Sequence, residues 1–163
     1  MQIRRSELRD RESLVELIAQ FREALSEFTA KTTDATRAQA AAEIDEYDGK
    51  GFPVFVAETV DRQIVGYLVC RVDGNTVWAE SLFVLPEHRR RGVGSQLYAQ
   101  AERLAADLGA STVYNWVHPR NSTIVSFLKR RGYDVLNLIE LRRAAPGEEV
   151  HRTLTVGSEQ FRH

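Results

Sequence analysis

The feature that most constrains this chain is a short basic loop between two apolar segments. The loop runs from Pro86 to Ser95 and contains three consecutive arginines followed by two glycines. The apolar run 81–85 precedes it, and a helical pattern of apolar residues begins near Gly92. Strand, loop and helix in this order present unpaired backbone N–H groups at an electropositive helix end. This glycine loop therefore predicts a site for a phosphorylated ligand.

The spacing of the glycines excludes two common kinds of phosphate site. A P-loop requires a lysine after its last glycine, and no lysine follows Gly94. A dinucleotide-binding fingerprint requires a third glycine, which this loop lacks. What remains is Arg-x-x-Gly-x-Gly, read from Arg89 through Gly92 to Gly94.

The composition limits the class of protein. A chain of 163 residues with 43% hydrophobic residues predicts a single domain over residues 1–163. A formal charge of −1 argues against a nucleic-acid partner. Cys70 is the only cysteine, which excludes an intramolecular disulfide and favours a reducing, cytoplasmic compartment. No long apolar span is present, so neither a signal peptide, a transmembrane helix nor a membrane partner is expected.

The periodicity of apolar residues predicts an α/β chain with a mixed, mostly antiparallel sheet. Asp10 is a plausible N-cap for the first helix, whose apolar stripe ends at Phe28. Further helices are predicted over 34–47, 92–108 and 122–131. Strands are predicted at 2–5, 54–57, 64–69, 76–84, 111–117, 133–141 and 150–156. Because a helix crosses between them, the strand after the glycine loop is expected to lie parallel to the strand before it.

Loop and element order together resemble the GNAT superfamily of coenzyme-A-dependent N-acetyltransferases. Arg89, Gly92 and Gly94 fit its pyrophosphate signature, Gln/Arg-x-x-Gly-x-Gly/Ala. The order β-α-α-β-β-β-α-β-α-β-β is that of the family, so the resemblance covers nearly the whole chain. It implies the GNAT fold and transfer of an acetyl group from acetyl-CoA to a primary amine of a small molecule or peptide. The transfer would proceed by direct attack in a ternary complex, with no metal.

The resemblance also implies where coenzyme A binds. Its pyrophosphate would rest on loop amides, and its pantetheine would run along Leu82 to Val84 as an added strand. The Val84 N–H would then face the thioester oxygen. Asn121 would contact the pantetheine arm, although an Asn at that position also serves as an N-cap. The implied cofactor-binding residues are Leu82, Phe83, Val84, Arg89, Arg90, Arg91, Gly92, Val93, Gly94, Ser95 and Asn121.

Acetylation of an amine requires a base, because an alkylamine is mostly protonated at neutral pH. Glu80 lies on the strand before the loop, where similar proteins often carry an acidic base. Strict alternation would place it on the same side as Trp78, Leu82 and Val84. Glu80 is therefore the candidate general base, and a solvated glutamate is the alternative interpretation. Glu140 and His118 are further candidates for the same role.

The proton donor to the leaving thiolate is where the chain departs from the family. Many members carry a tyrosine four residues before the glycine that ends the penultimate helix, and Leu128 stands there. Leucine cannot donate a proton. Tyr133, Tyr114, Ser126 or water could serve instead, although Tyr133 also fits a core position. A non-catalytic acyl-CoA-binding sensor is thus the alternative function; the intact loop argues against an interaction protein that has lost cofactor binding.

The acceptor amine is set by the first two helices in similar proteins. Glu43, Asp45, Glu46 and Asp48 form an acidic cluster that could attract a cationic amine. A solvated helix end is the alternative. Trp78 and Trp116 either line the acceptor cleft or belong to the core. A homodimer is a further expectation from the resemblance.

Overall fold

A computed structural model of the chain describes residues 1–26 and 37–163. The predictions that concern Phe28 and Asp34 lie outside these residues. The described residues fall into two compact units, one of residues 1–26 and 37–116 and one of Val117–His163. Each unit is described by itself.

The first unit is built on a five-stranded sheet with the order β1-β2-β3-β4-β5. The strands β1 to β4 pair with one another in antiparallel fashion, and β5 pairs parallel to β4. The mixed, mostly antiparallel sheet and its parallel strand are therefore confirmed. The strands are β1 (Gln2–Arg5), β2 (Val54–Glu58), β3 (Ile64–Asp73), β4 (Thr76–Val84) and β5 (Val113–Asn115).

Three helices cover the two faces of this sheet. They are α1 (Arg11–Ser26), α2 (Arg37–Gly49) and α3 (Val93–Asp107). α1 and α2 pack on the face that carries Tyr67 and Phe83. α3 packs on the opposite face, where Leu97 approaches Gly66. A Cβ at Gly66 would lie 2.9 Å from the Phe83 carbonyl oxygen and 3.3 Å from Leu97 Cδ1, so this close approach requires glycine.

A buried ion cluster joins β1 and β2 to the start of α1. Arg4 donates to both carboxylate oxygens of Asp10, at 2.6 and 2.9 Å, and to Glu58 at 2.9 Å. The Asp10 carboxylate also accepts the Glu7 N–H at 2.8 Å. The Arg4 guanidinium lowers the pKa of both carboxyl groups. Asp10 is thus the third residue of the short 3-10 turn Leu8–Asp10 that precedes α1, and its carboxylate bonds back to the N-cap residue Glu7, so the prediction that Asp10 is itself the N-cap is wrong.

β4 contains a β-bulge at Glu80. Val69 on β3 pairs with Ser81, whereas the next residue, Cys70, pairs with Ala79. Glu80 is therefore the extra residue on β4. A bulge bends its strand and leaves the extra residue outside the ladder.

The bulge changes which side chains of β4 share a face. Counted across it, Trp78 lies on the same face as Phe83, and Leu82 and Val84 lie on the other face. The prediction that Trp78, Glu80, Leu82 and Val84 share one side is therefore wrong. Strict alternation assumes one residue opposite one residue, and β4 departs from that rule at Glu80.

The second unit contains a helix and a hairpin. They are α4 (Ser122–Arg130), β6 (Thr153–Val156) and β7 (Glu159–Arg162), the last two being antiparallel. Gly132, with φ +87°, follows the end of α4. Across both described ranges of the chain, no helix is long and apolar enough to cross a membrane.

The last two strands do not lie where the sequence predicted them. The structure forms no strand over 133–152, so the predicted strand 133–141 is wrong and the predicted strand 150–156 shortens to β6. Val156 instead pairs with Glu159 across a two-residue turn that contains Gly157, with φ +60°. Glycine in the left-handed region suits such a tight hairpin. Closing this two-residue turn costs less chain entropy than closing the longer connection between the predicted strands 133–141 and 150–156.

Candidate functional site

The glycine loop turns the chain sharply between β4 and α3. A 3-10 turn, Pro86–His88, follows β4, and the chain then passes through Arg90 with φ 60° and Gly92 with φ 80°. Glycine adopts this left-handed conformation readily, whereas arginine is strained in it. The loop therefore holds a conformation that its residue types do not all favour, and α3 begins directly after it at Val93.

The start of α3 presents unpaired main-chain donors. The first hydrogen bond of the helix runs from the Gln96 N–H to the Gly92 carbonyl at 3.0 Å. The N–H groups of 92–95 thus have no partner within the helix. No side chain caps this helix end, and its first turn contains no acidic residue. Gly92 and Ser95 are exposed, so the helix start can bind an anion through its backbone.

The three loop arginines are not equivalent. Arg89 folds back onto the end of β4, where its Nε donates to the Val84 carbonyl at 2.8 Å. Its guanidinium carbon lies 5.3 Å from the centre of the Phe83 ring. Arg90 and Arg91 are exposed. Sequence reasoning assigned all three to the ligand, but the structure also gives Arg89 a bond that holds the loop against the strand.

β4 has an open edge between the bulge and the loop. Among the residues that the structure describes, β5 pairs with β4 only along 77–79. On the other side, the Leu85 N–H donates to the Val65 carbonyl of β3 at 2.9 Å. Because main-chain groups alternate in direction along an antiparallel strand, the N–H groups of Leu82 and Val84 point away from β3. The N–H groups of this open edge are thus available to an extended ligand, whereas its Val84 carbonyl already accepts from Arg89.

Glu80 lies at the bulge, where β4 and β5 stop pairing. Its Oε2 is 3.8 Å from Nε of Arg71, and the Glu80 side chain is 28% exposed. The Arg71 guanidinium stacks on Trp78 and Trp116, 4.8 and 4.4 Å from their ring centres. Sequence reasoning missed Arg71. The only signal for it was its place on the strand that pairs with the strand of Trp78.

Two buried hydroxyl groups form a hydrogen bond next to the bulge. Tyr67 and Ser81 form a hydrogen bond of 2.8 Å between β3 and β4. Burial raises the pKa of Tyr67, so the pair stays neutral. Beside it, Cys70 is fully buried, and burial raises the pKa of its thiol to about 12. The one thiol of this chain is therefore a poor nucleophile.

The remaining candidate residues belong to the second unit. The Asn121 Oδ1 accepts the Ile124 N–H at 3.3 Å, which confirms its N-cap role, and its cofactor contact stays a prediction. His118 Nδ1 accepts the Arg120 N–H at 3.2 Å. Burial lowers the pKa of His118, which favours the neutral ring. Tyr133 is half-buried just after α4, and Glu140, named earlier as a further base, is exposed on the irregular segment.

The acidic cluster of α2 is largely paired with cations of its own unit. Glu43, Asp45 and Glu46 each form an ion pair, and Tyr47 also donates to Glu43. These pairs support the interpretation of a helix surface rather than an open acidic rim. The pairs are Glu43–Arg22 at 2.6 Å, Asp45–Arg11 at 2.8 Å and Glu46–Lys50 at 2.5 Å.

No group of three or more His, Cys, Asp or Glu side chains is arranged to hold a metal ion within residues 1–26 and 37–163. The arrangement on β4 thus consists of a backbone anion site, an open strand edge and a carboxylate at a bulge. These three features follow one another along a single strand and the loop after it.

The curated proteins that match this chain include two acetyltransferases. A mycothiol acetyltransferase of Cellulomonas flavigena is 37% identical over 57 residues, which are 35% of this chain and 16% of that protein. A spermidine N(1)-acetyltransferase of Thermoplasma acidophilum is 24% identical over 82 residues, 50% of this chain and 51% of that protein. The matched segments thus span about half the length of one curated relative and less than a fifth of the other.

Solved structures share the fold at low identity. An aminoglycoside 6'-N-acetyltransferase from Acinetobacter haemolyticus aligns with a TM-score of 0.64 at 18% identity, covering 91% of this chain and 100% of its own. A GNAT-family acetyltransferase from Staphylococcus aureus aligns with a TM-score of 0.65 at 20% identity, covering 80% and 82%. AAC(6')-Iy, solved with a bisubstrate analogue of CoA and acetylneamine, aligns with a TM-score of 0.59 at 22% identity, covering 88% and 97%.

The sequence model of the acetyltransferase (GNAT) family matches residues 15–133, which include the glycine loop, the bulge and α4. This match covers well over half of the chain. The fold and family that the loop and the element order predicted are confirmed: the chain belongs to the GNAT acetyltransferase family.

Proposed function

We propose that the protein transfers an acetyl group from acetyl-CoA to a primary amine by direct attack in a ternary complex. One observation carries the proposal: the open edge of β4 leads from the bulge at Glu80 to the anion-binding start of α3. Acetyl-CoA has a thioester, an extended amide-containing arm and a pyrophosphate in the same order. The N–H groups of 92–95 would hold the pyrophosphate, and the edge at Leu82 and Val84 would bind the arm as an added strand.

The comparisons support the donor more than the acceptor. AAC(6')-Iy was solved with an analogue that contains CoA, and the curated relatives are acetyltransferases for mycothiol and spermidine. These acceptors differ widely in chemistry. We therefore carry over acetyl-CoA as the donor, and we argue the acceptor from the residues of this chain.

The reaction needs a neutral amine at the bulge. Glu80 would take a proton from the bound ammonium group. The amine nitrogen then attacks the thioester carbonyl carbon, a C–N bond forms, the C–S bond breaks, and the electron pair leaves with sulfur as CoA thiolate. The main-chain N–H of Val84 points to the open edge and would stabilise the oxygen as its charge develops. The nitrogen loses its remaining extra proton to water.

The burial of Cys70, the only cysteine of the chain, favours direct attack over a route through an acetylated cysteine. An acetyl-enzyme route needs an accessible thiolate, and the Cys70 thiol is fully buried with its pKa raised to about 12. The acetyl group would therefore pass from CoA to the amine without a cysteine intermediate. Much of the rate gain would come from holding the amine and the thioester in the right geometry.

The leaving thiolate needs a proton from a group other than Leu128, which is 5% exposed in α4. Tyr114 is a candidate in the same unit as Glu80, since its ring packs 4.9 Å from that of Trp78 at the end of β5. Water is the other source. The buried leucine also favours a second candidate function, an acyl-CoA sensor without turnover.

Thermal unfolding with acetyl-CoA tests the donor site. At a ligand concentration of 100 Kd, binding stabilises the folded state by about 2.7 kcal/mol. For a chain of this size that shift raises Tm by roughly 5–10 °C. S-acetylpantetheine, which lacks the pyrophosphate, is the matched ligand and should give a much smaller shift. Equal shifts from both ligands would remove the loop from the site, and no shift with acetyl-CoA would remove both candidate functions.

Release of free CoA thiol then separates enzyme from sensor. The protein is incubated with acetyl-CoA and a panel of amino acids, polyamines, aminoglycosides and peptide N-termini. The proposed function predicts amine-dependent thiol release, with the acetylated amine identified by mass. Stabilisation by acetyl-CoA without turnover on any amine would instead support the sensor.

A further inference from the structure

Arg71 is a cation with one hydrogen-bond donor, its Nε–H, that the described part of the chain leaves without an acceptor. Its guanidinium lies against two indole rings that also contact each other, 4.8 Å from the centre of Trp78 and 4.4 Å from that of Trp116. Its side chain is 27% exposed. Within the described parts of the chain, its Nε is buried and has no hydrogen-bond partner. A buried donor without an acceptor is costly, and a ligand would reach the guanidinium through its exposed part, since the Nε itself is buried.

The nearest carboxylate does not fill that role. Oε2 of Glu80 is 3.8 Å from Nε of Arg71, which is beyond hydrogen-bond distance. The two side chains thus attract each other but leave a gap between donor and acceptor. Both lie at the end of the paired region of β4 and β5, beside the open edge.

The contact between Arg71 and the two indole rings limits the charge of a ligand that can bind beside them. The two indole faces are already occupied by a cation, so a second cation there would be repelled by Arg71. A stacked guanidinium presents its N–H groups at its rim, and this planar fork matches a carboxylate. The aromatic pair therefore orients Arg71 for an anionic group of a ligand rather than forming a cage for a polyamine.

The pairing of Arg71 with Glu80 limits the ligand further. An α-amino acid carries its ammonium and its carboxylate on one carbon, so its two charges are as close as those of this pair. Bound head to tail, its carboxylate would meet Arg71 and its ammonium would meet Glu80. The ring of Trp116, which is 63% exposed, offers an apolar surface to the amino acid side chain.

We propose that Arg71 binds the carboxylate of the acceptor and that the acceptor is a free α-amino acid. This inference rests on the proposed function and names the class of amine at that same site. Arg71 is a specificity residue, and Glu80 takes the proton of the amine that Arg71 has placed beside it. The transfer step is the one given above: the C–N bond forms as the C–S bond breaks.

Matched acceptors test the proposal directly. Each standard L-α-amino acid is compared with its carboxamide and with the amine that remains after decarboxylation, in the thiol-release assay with saturating acetyl-CoA. At least one amino acid should be acetylated with a kcat/KM tenfold or more above both of its matched forms. If the forms without a carboxylate react as well as the amino acids, or if only other amines react, the inference is overturned while the proposed function stands. If acetyl-CoA raises Tm but no amine reacts, both the enzyme and this inference fail.

Substitution of Arg71 gives the second measurement. Arg71→Gln should lower kcat/KM for the amino acid roughly 10- to 100-fold, mainly through KM, because it removes hydrogen bonds to a charged group. The loss with the decarboxylated amine should be much smaller, because that amine has no carboxylate for Arg71 to bind. Arg71→Lys keeps the charge without the fork and should recover part of the loss.

Arg5→Gln is the matched control. Arg5 also stacks on a ring of the sheet, 5.2 Å from the centre of Phe55, and it lies on β1. The kcat/KM of Arg5→Gln for the amino acid should equal that of the unmodified protein. The acetyl-CoA-induced rise in Tm should persist in all three variants, which separates a lost contact from a misfolded protein. An equal loss for both acceptor forms in Arg71→Gln would contradict a carboxylate-binding role.

Discussion

The two ends of the open edge of β4 offer different kinds of binding group to a ligand. At the loop end, the binding groups are the main-chain N–H groups of 92–95, exposed by left-handed residues at Arg90 and Gly92. At the bulge end, the groups are the side chains of Glu80 and Arg71, with the tryptophan rings around them. The first end depends on backbone conformation, and the second depends on which side chains are present.

This difference explains why one short motif identifies the donor and leaves the acceptor open. Any chain with the same loop conformation presents the same amides to a pyrophosphate. A side-chain site changes with each substitution and with each shift of register. Variants at the bulge end should therefore alter turnover or acceptor choice, and variants at the loop end should alter affinity for acetyl-CoA.

Removal of the carboxylate at the bulge should have the largest effect. Glu80→Gln keeps the shape and loses the base, so kcat at neutral pH should fall about 10²- to 10⁴-fold. The rise of log kcat with increasing pH should flatten, and the Kd for acetyl-CoA should stay unchanged. The measurement is a pH–rate profile together with a binding titration.

Glu140→Gln is the matched control, since Glu140 was the other glutamate considered as base and is exposed in the second unit. Its pH–rate profile should match that of the unmodified protein. A normal profile in Glu80→Gln would remove Glu80 as the base. A flat profile in Glu140→Gln would transfer the role to that residue.

A change of backbone preference at the loop should have an intermediate effect. Gly92→Ala places a Cβ on a residue with φ +80°, where the nearest atom outside the neighbouring residues is 3.9 Å away. The cost is thus conformational, about 1–2 kcal/mol. Because the loop should relax away from this strained conformation, the Kd for acetyl-CoA should rise about tenfold. The effect on kcat should be smaller.

Gly74→Ala provides the comparison, because Gly74 also has a positive φ, +59°, and open space around it, in the turn between β3 and β4. Both variants should lose similar stability in denaturant unfolding. Only Gly92→Ala should weaken acetyl-CoA binding in a titration. Equal Kd values for the two variants would mean that the loop amides do not hold the cofactor.

The smallest effect is expected at an exposed loop cation. Arg91→Ala removes a charge near the helix start and should raise the Kd for acetyl-CoA only a few-fold, since exposed charge pairs contribute about 0.2–1 kcal/mol. The effect should disappear at high salt, because the charges are then screened. Arg103→Ala, on the exposed side of α3, is the control and should not change the Kd at any ionic strength. A salt-independent loss in Arg91→Ala would show that this side chain makes a specific buried contact.

Much of the fold could be read from short-range patterns. The periodicities along the first 116 residues predicted each strand of the five-stranded sheet, because apolar spacing directly reflects which face is buried. The last strands could not be predicted in the same way. The apolar residues of 133–141 suggested a strand, yet Val135 and Leu136 are 85% and 71% exposed, and the hairpin forms around Gly157 instead.

The candidate site likewise has one part that the sequence predicts and another that depends on the tertiary structure. The sequence by itself determined the glycine loop and the family, because the loop works through backbone geometry that glycine spacing encodes locally. It also pointed to Glu80 as a carboxylate on the strand before the loop. Only the tertiary structure decided that Glu80 sits on a bulge, that Arg89 bonds to the Val84 carbonyl and that Arg71 lies against two tryptophans. These features depend on which strand residues lie opposite one another, and that register is set by contacts between distant parts of the chain.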